Sequence, residues 1–297
     1  MRCRAYLLHL THYAPGHWLK EKAIEKRFDR KTAEDCIRAA AKAGFNYLII
    51  DIKDAVIYKS LPHLKKPYSV PMQELKELAI LAKSMGLMVI PKLNYSKSGE
   101  HRHSQWLWKE QRPADTAILW KDAIKAMDEV ISATKPHSFH VGMDEDDTRS
   151  PDEYFKALKF LHGALKKRKL RMVMWADCGH NWRQAERFKV VPAIMKLPRD
   201  VILMPWNYDI PLTDWLRKFQ RLGFDVIGTS AVFVINSDNK ISWSNKNTSD
   251  WLEVLERYHG FGICLTRWIA TSSKNRQTLL TGIRETGKLF LEKEINL

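Results

Sequence analysis

Short apolar segments alternate with longer amphipathic segments along almost the whole chain. The apolar segments have the length of buried strands, and the segments between them repeat their apolar residues at helical spacing. Strands are predicted at Ala5–His12, Asn46–Ile52, Leu87–Leu93, His137–Gly142, Leu170–Trp175, Val201–Trp206, Asp225–Ser230 and Phe261–Thr266. Helices are predicted near 31–43, 71–85, 114–135, 151–168, 184–196, 211–222, 248–258 and 273–292.

Strands and helices that alternate in this way predict an α/β fold, a single closed (β/α)8 barrel of the TIM type. No linker rich in Gly, Ser or Pro divides the chain, so we expect one domain over residues 1–297, with its last helix at about 273–292. The alternative is an open doubly wound sheet. That fold usually carries a Gly-rich phosphate-binding turn after its first strand, and His12-Tyr13-Ala14-Pro15-Gly16 does not match one.

Composition excludes several classes of protein. Of the 297 residues, 45% are hydrophobic, which excludes a disordered chain. No apolar run approaches the ~18–20 residues of a membrane span, so we expect none. His9, Thr11 and His12 interrupt the first apolar stretch, which argues against a secretion signal and predicts a cytoplasmic protein. The four cysteines are widely spaced, which predicts free thiols rather than disulfides or a zinc site.

The chain is strongly basic, with 49 Lys and Arg against 34 Asp and Glu and a formal net charge of +15. The densest basic runs are Lys166-Lys167-Arg168-Lys169 and Lys65-Lys66, and no nucleic-acid-binding motif accompanies them. The first run ends a predicted helix, where cations complement the helix dipole. The charge therefore favours a solvated surface and no nucleic-acid partner, while attraction to an acidic glycan or an anionic cell surface stays open.

The fourth predicted strand leads directly into four successive carboxylates, at residues 144–147. Functional residues of a barrel gather where its strands end, and crowded carboxylates raise one another's pKa. We therefore predict a functional role for Asp144 and Glu145, whereas capping of the next helix accounts for the other two acids. His140 shares the inward face of the strand with Gly142. A metal site built from His140, Asp144 and Glu145 is an alternative.

Tryptophans follow three other strands of the predicted barrel. Trp175 closes the fifth strand, Trp206 closes the sixth, and Trp268 follows the eighth. Aromatic faces stack on the apolar C–H faces of sugar rings, and three indoles at one rim suit a carbohydrate pocket. The sequence therefore predicts a glycan or oligosaccharide as the partner.

The segment His140-Val141-Gly142-Met143-Asp144-Glu145 resembles the H-x-G-x-D-E signature of glycoside hydrolase family 20, the β-N-acetylhexosaminidases. Weaker similarity extends along the chain, at Asp51-Ile52-Lys53-Asp54, at Gly86 to Asn94, and at the later Trp-bearing strand ends Val173 to Asp177, Met204 to Trp206 and Leu265 to Trp268. The resemblance implies a hexosaminidase-like glycosidase that retains anomeric configuration through a substrate-assisted mechanism.

The same resemblance implies a role for each site residue. Glu145 would be the general acid and then the general base, and Asp144 would orient the 2-acetamido group of the substrate. His140 would support this pair, and Asp177 would hydrogen-bond a hydroxyl. The tryptophans would enclose the sugar. No metal or other cofactor is expected.

Further candidates come from position. Asp54 follows the second strand, His12 ends the first, and His101 lies where the family has a turn after the third strand. Asn207, Tyr208 and Asp209 follow Trp206 and are either sugar contacts or a turn. Trp243 lies in a long polar loop and is a candidate lid residue.

Several positions depart from the family pattern. Leu10-Thr11-His12-Tyr13 contains no Arg, and Phe233 stands where a Tyr is usual. Lys92 and Asn94 replace Glu and Asp, and no acid follows Trp268. Loss of several buried polar contacts changes or weakens sugar binding.

Three interpretations therefore stay open. The first is a hexosaminidase-like enzyme. The second is a glycosidase of other specificity, in which Glu145 pairs with Asp54 or Asp177. The third is a non-catalytic carbohydrate-binding barrel.

Overall fold

A computed structural model describes residues 1–10, 26–98, 106–107, 116–178, 184–232, 234–235, 241–242 and 244–295. Eight parallel strands in this part of the chain form a closed barrel, and each strand pairs with its neighbours in chain order until the eighth meets the first. The barrel strands are β1 Cys3–His9, β2 Tyr47–Asp51, β3 Met88–Lys92, β4 Ser138–His140, β5 Arg171–Ala176, β6 Ile202–Pro205, β7 Asp225–Ala231 and β8 Gly262–Thr266. The predicted (β/α)8 barrel is confirmed.

Eight α-helices lie in the described ranges, in the segments where the sequence predicts them. They are α1 Arg30–Lys42, α2 Met72–Ser84, α3 Ala117–Thr134, α4 Pro151–Lys167, α5 Gln184–Met195, α6 Thr213–Arg221, α7 Lys246–Arg257 and α8 Arg276–Ile295. Two short ribbons accompany them: Val56–Ile57 with Val70–Pro71, and Val234–Ile235 with Ile241–Ser242. None of the helices in the described ranges is long and apolar enough to cross a membrane.

Local sequence explains how these elements begin. Ser150 and Glu153 form a capping box, because the Glu153 carboxylate accepts from the Ser150 N–H at 2.8 Å and the Ser150 hydroxyl accepts from the Glu153 N–H. Pro151 follows at the first helical position, where its missing N–H costs nothing. Asp29 caps α1 in a similar way, accepting from the Thr32 N–H at 2.8 Å.

Most boundaries differ from prediction by one to three residues. Strand β1 begins at Cys3 rather than Ala5, and the predicted residues Thr11 and His12 lie outside the described residues. Strand β4 ends at His140 rather than Gly142, because the backbone turns left-handed at Gly142. The last helix spans Arg276–Ile295 and is preceded by a 3₁₀ turn at Ser273–Asn275, so it starts three residues later than predicted.

Alternation along the strands divides the core into two parts. On β5, Met172 and Met174 face the helices, whereas Val173 and Trp175 face the barrel interior. The lower interior is apolar, but the layer at the carboxyl ends of β1 to β4 is polar and fully buried, with His9, Asp51, Lys92 and His140. Function in such barrels lies at this end.

The four cysteines, Cys3, Cys36, Cys178 and Cys264, are buried free thiols, as predicted. Burial raises the pKa of the Cys36 thiol to about 12. Since the thiolate is the reactive form, this thiol is inert at neutral pH.

Candidate active site

The turn after β4, residues 141–147, is called the carboxylate turn. Its backbone is left-handed at three positions, with φ of +69° at Gly142, +73° at Met143 and +52° at Glu145. Non-glycine residues pay about 1–3 kcal/mol for such conformations, and these conformations cluster at functional sites. The turn therefore needs contacts from elsewhere in the chain to hold it.

Asn94, just beyond β3, provides those contacts. Its side-chain oxygen accepts from the Met143 N–H at 3.0 Å, and its Nδ2 donates to Asp144 Oδ1 at 2.7 Å. A Cβ on Gly142 would lie 2.3 Å from Asn94 Oδ1, so the turn fits only around glycine. The sequence marks Asn94 only as a departure from a family pattern, yet this side chain orients Asp144.

Asp177 holds the other side of the carboxylate turn. Its Oδ2 accepts from the Glu145 N–H at 2.7 Å, and its Oδ1 accepts from Trp206 Nε1 at 2.6 Å. Both oxygens therefore bind the protein itself, in an arrangement that positions Glu145. The predicted contact of Asp177 with a sugar hydroxyl stays a prediction.

The sequence predicts crowding among the carboxylates at residues 144–147, whereas the crowded carboxyl groups in the structure are Asp144 and Asp177. Burial raises the pKa of Asp177, and the Asp144 charge raises it further. Burial also raises the pKa of Asp144, against the opposing charge of Lys92. Two adjacent buried carboxyl groups resist simultaneous ionisation, and such groups hold a proton near neutral pH.

The other two acids of the run serve structure. Asp146 is buried and binds Arg149, the Lys97 N–H at 2.8 Å and Lys189 Nζ at 3.2 Å. Asp147 accepts from the Ser98 hydroxyl at 2.7 Å. The four successive carboxylates thus divide into one pair at the barrel mouth and one pair that ties the turn to its surroundings.

The three predicted tryptophans lie together, and Tyr208 joins them. This aromatic wall consists of Trp175, Trp206, Tyr208 and Trp268. Ring centroids are 6.5 Å apart between Trp175 and Trp268 and 5.4 Å apart between Trp206 and Tyr208, and Trp268 Nε1 donates to the Tyr208 hydroxyl at 2.9 Å. Burial raises the pKa of Tyr208 well above its usual value, and the charges of Glu145 and Asp144 add to this. The wall therefore stands next to the carboxylates.

Asn207 belongs to the fold rather than to this wall. Its carbonyl oxygen accepts from Trp251 Nε1 at 3.0 Å and from Asn247 at 3.1 Å, and its side chain accepts from the Asp209 N–H at 2.8 Å.

The His140 side chain supports the turn by accepting a hydrogen bond from the backbone of Gly142. Its Nδ1 accepts from the Gly142 N–H at 2.9 Å, which places the proton of the neutral ring on Nε2. Burial and the Lys92 charge lower the pKa of His140 well below its usual value. The ring packs against Trp175 at 4.7 Å between centroids.

Buried polar atoms inside the barrel that have no hydrogen-bond partner in the described part of the chain include His140 Nε2, Trp175 Nε1 and Thr229 Oγ1. Buried polar groups are nearly always paired, so unpaired ones at a strand end indicate a place for a polar ligand or water.

An ion cluster that the sequence analysis did not foresee lies beneath the site. It consists of His9, Asp51, Lys53 and Lys92, with Asp51 3.2 Å from His9 Nδ1 and from the ammonium groups of both lysines. Burial raises the pKa of Asp51, but Lys53 and Lys92 prevail and lower it well below its usual value. The His9 ring packs on Trp268 at 4.9 Å, which connects the cluster to the aromatic wall.

The remaining candidates lie elsewhere. The Asp54 carboxylate accepts from the Tyr68 hydroxyl at 2.9 Å, within the loop after β2. The strand-two carboxylate in the barrel interior is Asp51 rather than Asp54. His12, His101, Phe233 and Trp243 lie outside the described residues. Among the residues that are described, no three His, Cys, Asp or Glu side chains are arranged to hold a metal ion.

The fold is shared with solved hexosaminidases. The family 20 exo-β-N-acetylglucosaminidase of Vibrio harveyi, solved with N-acetylglucosamine, is 14% identical with a TM-score of 0.67, over 97% of this chain and 53% of that one. The Streptomyces plicatus N-acetyl-β-hexosaminidase is 14% identical with a TM-score of 0.68, over 96% of this chain and 63% of that one. Dispersin B is 15% identical with a TM-score of 0.60, over 97% of this chain and 98% of that one. At such identities the similarity shows a common fold.

The chain spans 53% and 63% of the length of the first two of these structures, and nearly all of dispersin B. No protein-family model and no curated protein matches the sequence.

Proposed function

We propose that the protein is a glycoside hydrolase of the family 20 type, which removes a terminal N-acetylhexosamine or a closely related sugar. The observation that carries this proposal is the carboxylate turn. It presents Asp144 and Glu145 beside an aromatic wall, at the functional end of a barrel that has the fold of β-N-acetylhexosaminidases. Similarity of fold alone would leave the function open.

In the proposed reaction the sugar stacks on the aromatic wall and its 2-acetamido group reaches Asp144. Glu145 protonates the glycosidic oxygen while the acetamido carbonyl oxygen attacks the anomeric carbon, and the leaving group departs. Asp144, as a carboxylate, accepts the acetamido N–H and stabilises the oxazolinium ion. Glu145, now a carboxylate, removes a proton from water, which opens this intermediate with overall retention.

Contacts around the pair support this division of roles. Asn94 donates to Asp144 at 2.7 Å, a bond that favours the carboxylate over the neutral acid. Asp177 binds the Glu145 backbone at 2.7 Å and so fixes the residue that must reach the glycosidic oxygen. Positioning of this kind is a large part of catalysis, because a misplacement of about 1 Å costs about 10²-fold in rate.

The test compares two substrates that differ at one substituent. We expect turnover of p-nitrophenyl β-N-acetylglucosaminide or β-N-acetylgalactosaminide and at least about 10²-fold slower turnover of p-nitrophenyl β-glucoside, because the glucoside lacks the internal nucleophile. Release of p-nitrophenol at several pH values measures both.

Equal rates on the N-acetylglucosaminide and the glucoside would contradict substrate assistance and favour a conventional carboxylate pair. Binding of N-acetylglucosamine without turnover of any glycoside would identify a carbohydrate-binding barrel instead.

A further inference from the structure

Lys92 occupies an unusual place for an ammonium group. Its Cα lies opposite Asp51 on β2 and opposite His140 on β4, and all three side chains point into the barrel. Only 1% of Lys92 is exposed. A charge this deeply buried persists only when it is paired, so its partners define what it does.

The first partner of Lys92 is Asp51, whose Oδ1 lies 3.2 Å from Nζ. Asp51 also binds Lys53, at 3.2 Å from Oδ2, so two ammonium groups share one carboxylate. The Lys92 Nζ lies 6.0 Å from the ring centroid of Trp175, which places it in the barrel interior directly below the aromatic wall. Asp51 therefore anchors Lys92, but its single negative charge does not neutralise both ammonium groups.

The second group close to Lys92 is Asp144, because Asn94, two residues beyond Lys92 in the chain, donates to Asp144 Oδ1 at 2.7 Å. The Lys92 charge opposes the rise in the pKa of Asp144 that burial causes. We propose that Lys92 is a positioning residue for the carboxylate pair: anchored by Asp51, its buried ammonium keeps Asp144 in the ionised form that accepts the acetamido N–H. The inference rests on the proposed function of Asp144. Lys92 acts through Asp144 and does not itself touch the substrate.

The other charges around Asp144 oppose its ionisation. Asp51 on β2 raises the pKa of Asp144 by repulsion. Asp177 after β5 and Asp144 also repel each other when both are ionised, and the Asp144 charge raises the pKa of Asp177. Tyr154 on α4 and Tyr208 after β6 also face Asp144, and burial raises the pKa of both phenols well above the usual value, so they stay neutral. In the described part of the chain, Lys92 supplies the positive charge with the largest effect on Asp144.

Removal of the ammonium tests the proposal. In Lys92→Met the pKa of Asp144 rises, so the ionised form is lost at higher pH as the solution is acidified. We expect the acidic limb of kcat/KM to move up by about 1–3 pH units, the usual effect of a nearby opposite charge. Lys92→Arg, which restores a cation, should bring the limb back toward its wild-type position. If Lys92→Met does not fold, Lys92→Gln replaces it, since its amide still donates to Asp51.

Lys53→Met is the matched control. It removes the other ammonium from the same carboxylate, but the Lys53 charge acts on Asp51 and His9. We expect its acidic limb to stay within about 0.3 pH units of wild type, well below the effect of a direct charge partner. Equal movement in Lys53→Met and Lys92→Met would overturn the specific role of Lys92.

A readout independent of activity keeps the two proposals separate. Protein labelled with ¹³C at the aspartate carboxyl carbon gives an Asp144 resonance, assigned by its loss in Asp144→Asn, and its titration is followed in wild type and in Lys92→Met. A higher midpoint in the variant supports the inference, and an unchanged midpoint refutes it. Absence of hydrolysis by wild type would refute the proposed function, while this titration would still decide the role of Lys92.

Discussion

Replacement of Glu145 by glutamine should lower kcat/KM for a p-nitrophenyl β-N-acetylhexosaminide by about 10²–10⁴-fold, the usual contribution of a general acid–base residue. The amide is nearly the same size but cannot donate the proton that the leaving group needs. The backbone N–H that binds Asp177 is unchanged, so the turn should keep its shape. Binding of N-acetylglucosamine, measured by calorimetry, should stay within about threefold of wild type, or about 0.7 kcal/mol, because the amide fills the same space as the carboxylate.

Asp147→Asn is the control for this experiment. It removes a carboxylate from the same acidic run, two residues further along, where the side chain accepts from Ser98 and Thr148 rather than facing the wall. Its turnover should match wild type. Full activity in Glu145→Gln would exclude Glu145 as the acid, and a comparable loss in Asp147→Asn would indicate that the assay reports the integrity of the turn.

Substitution of Gly142 by alanine should destabilise the protein and abolish activity together. The new Cβ would lie 2.3 Å from Asn94 Oδ1 in a residue with φ of +69°. Left-handed strain and overpacking together predict a loss of about 2–5 kcal/mol in the free energy of unfolding. Because Asn94 must move, the contact that orients Asp144 is lost as well. Urea unfolding followed by circular dichroism, with the turnover assay beside it, measures both effects.

Substitutions at two other glycines distinguish the cost of backbone strain from the cost of the clash with Asn94. Gly86 has φ of +82° but open space around its added Cβ, so Gly86→Ala should cost only the backbone strain, about 1–2 kcal/mol. Gly163 lies within α4, also with open space, and Gly163→Ala should stabilise the protein by up to about 1 kcal/mol. Both variants should keep their activity. If Gly142→Ala costs no more than Gly86→Ala, the close packing of Asn94 on the turn is not a constraint.

The sequence predicts the barrel well because each strand is a separate local signal. Apolar runs of strand length, and helix caps such as Ser150 and Glu153, can be recognised from the local sequence without knowing which residues they contact in the fold. The position of the tryptophans can be predicted for the same reason, since a residue at the carboxyl end of a strand lies at the barrel mouth whatever its neighbours are.

The ion cluster and the role of Asn94 cannot be predicted from local sequence. Asp51 and Lys92 come together because β2 and β3 pair in one register, and a shift of one residue would turn either side chain to the other face. From the sequence alone, Lys92 and Asn94 are only departures from a family pattern. In the folded chain, Asp51 anchors the Lys92 ammonium, and the Asn94 amide orients Asp144.

The contacts that shape the carboxylate turn join segments far apart in the chain. Asn94 lies 50 residues from Asp144, Asp177 lies 32 residues from Glu145, and Lys189 lies 43 residues from Asp146. The chain must lose the conformational entropy of closing these loops before the contacts can stabilise it. Non-local structure therefore forms more slowly than helices. The left-handed backbone of the turn is also unfavourable on its own. During refolding, helical structure should therefore return first, and the turn should form only when β3, β5 and α5 have docked around it.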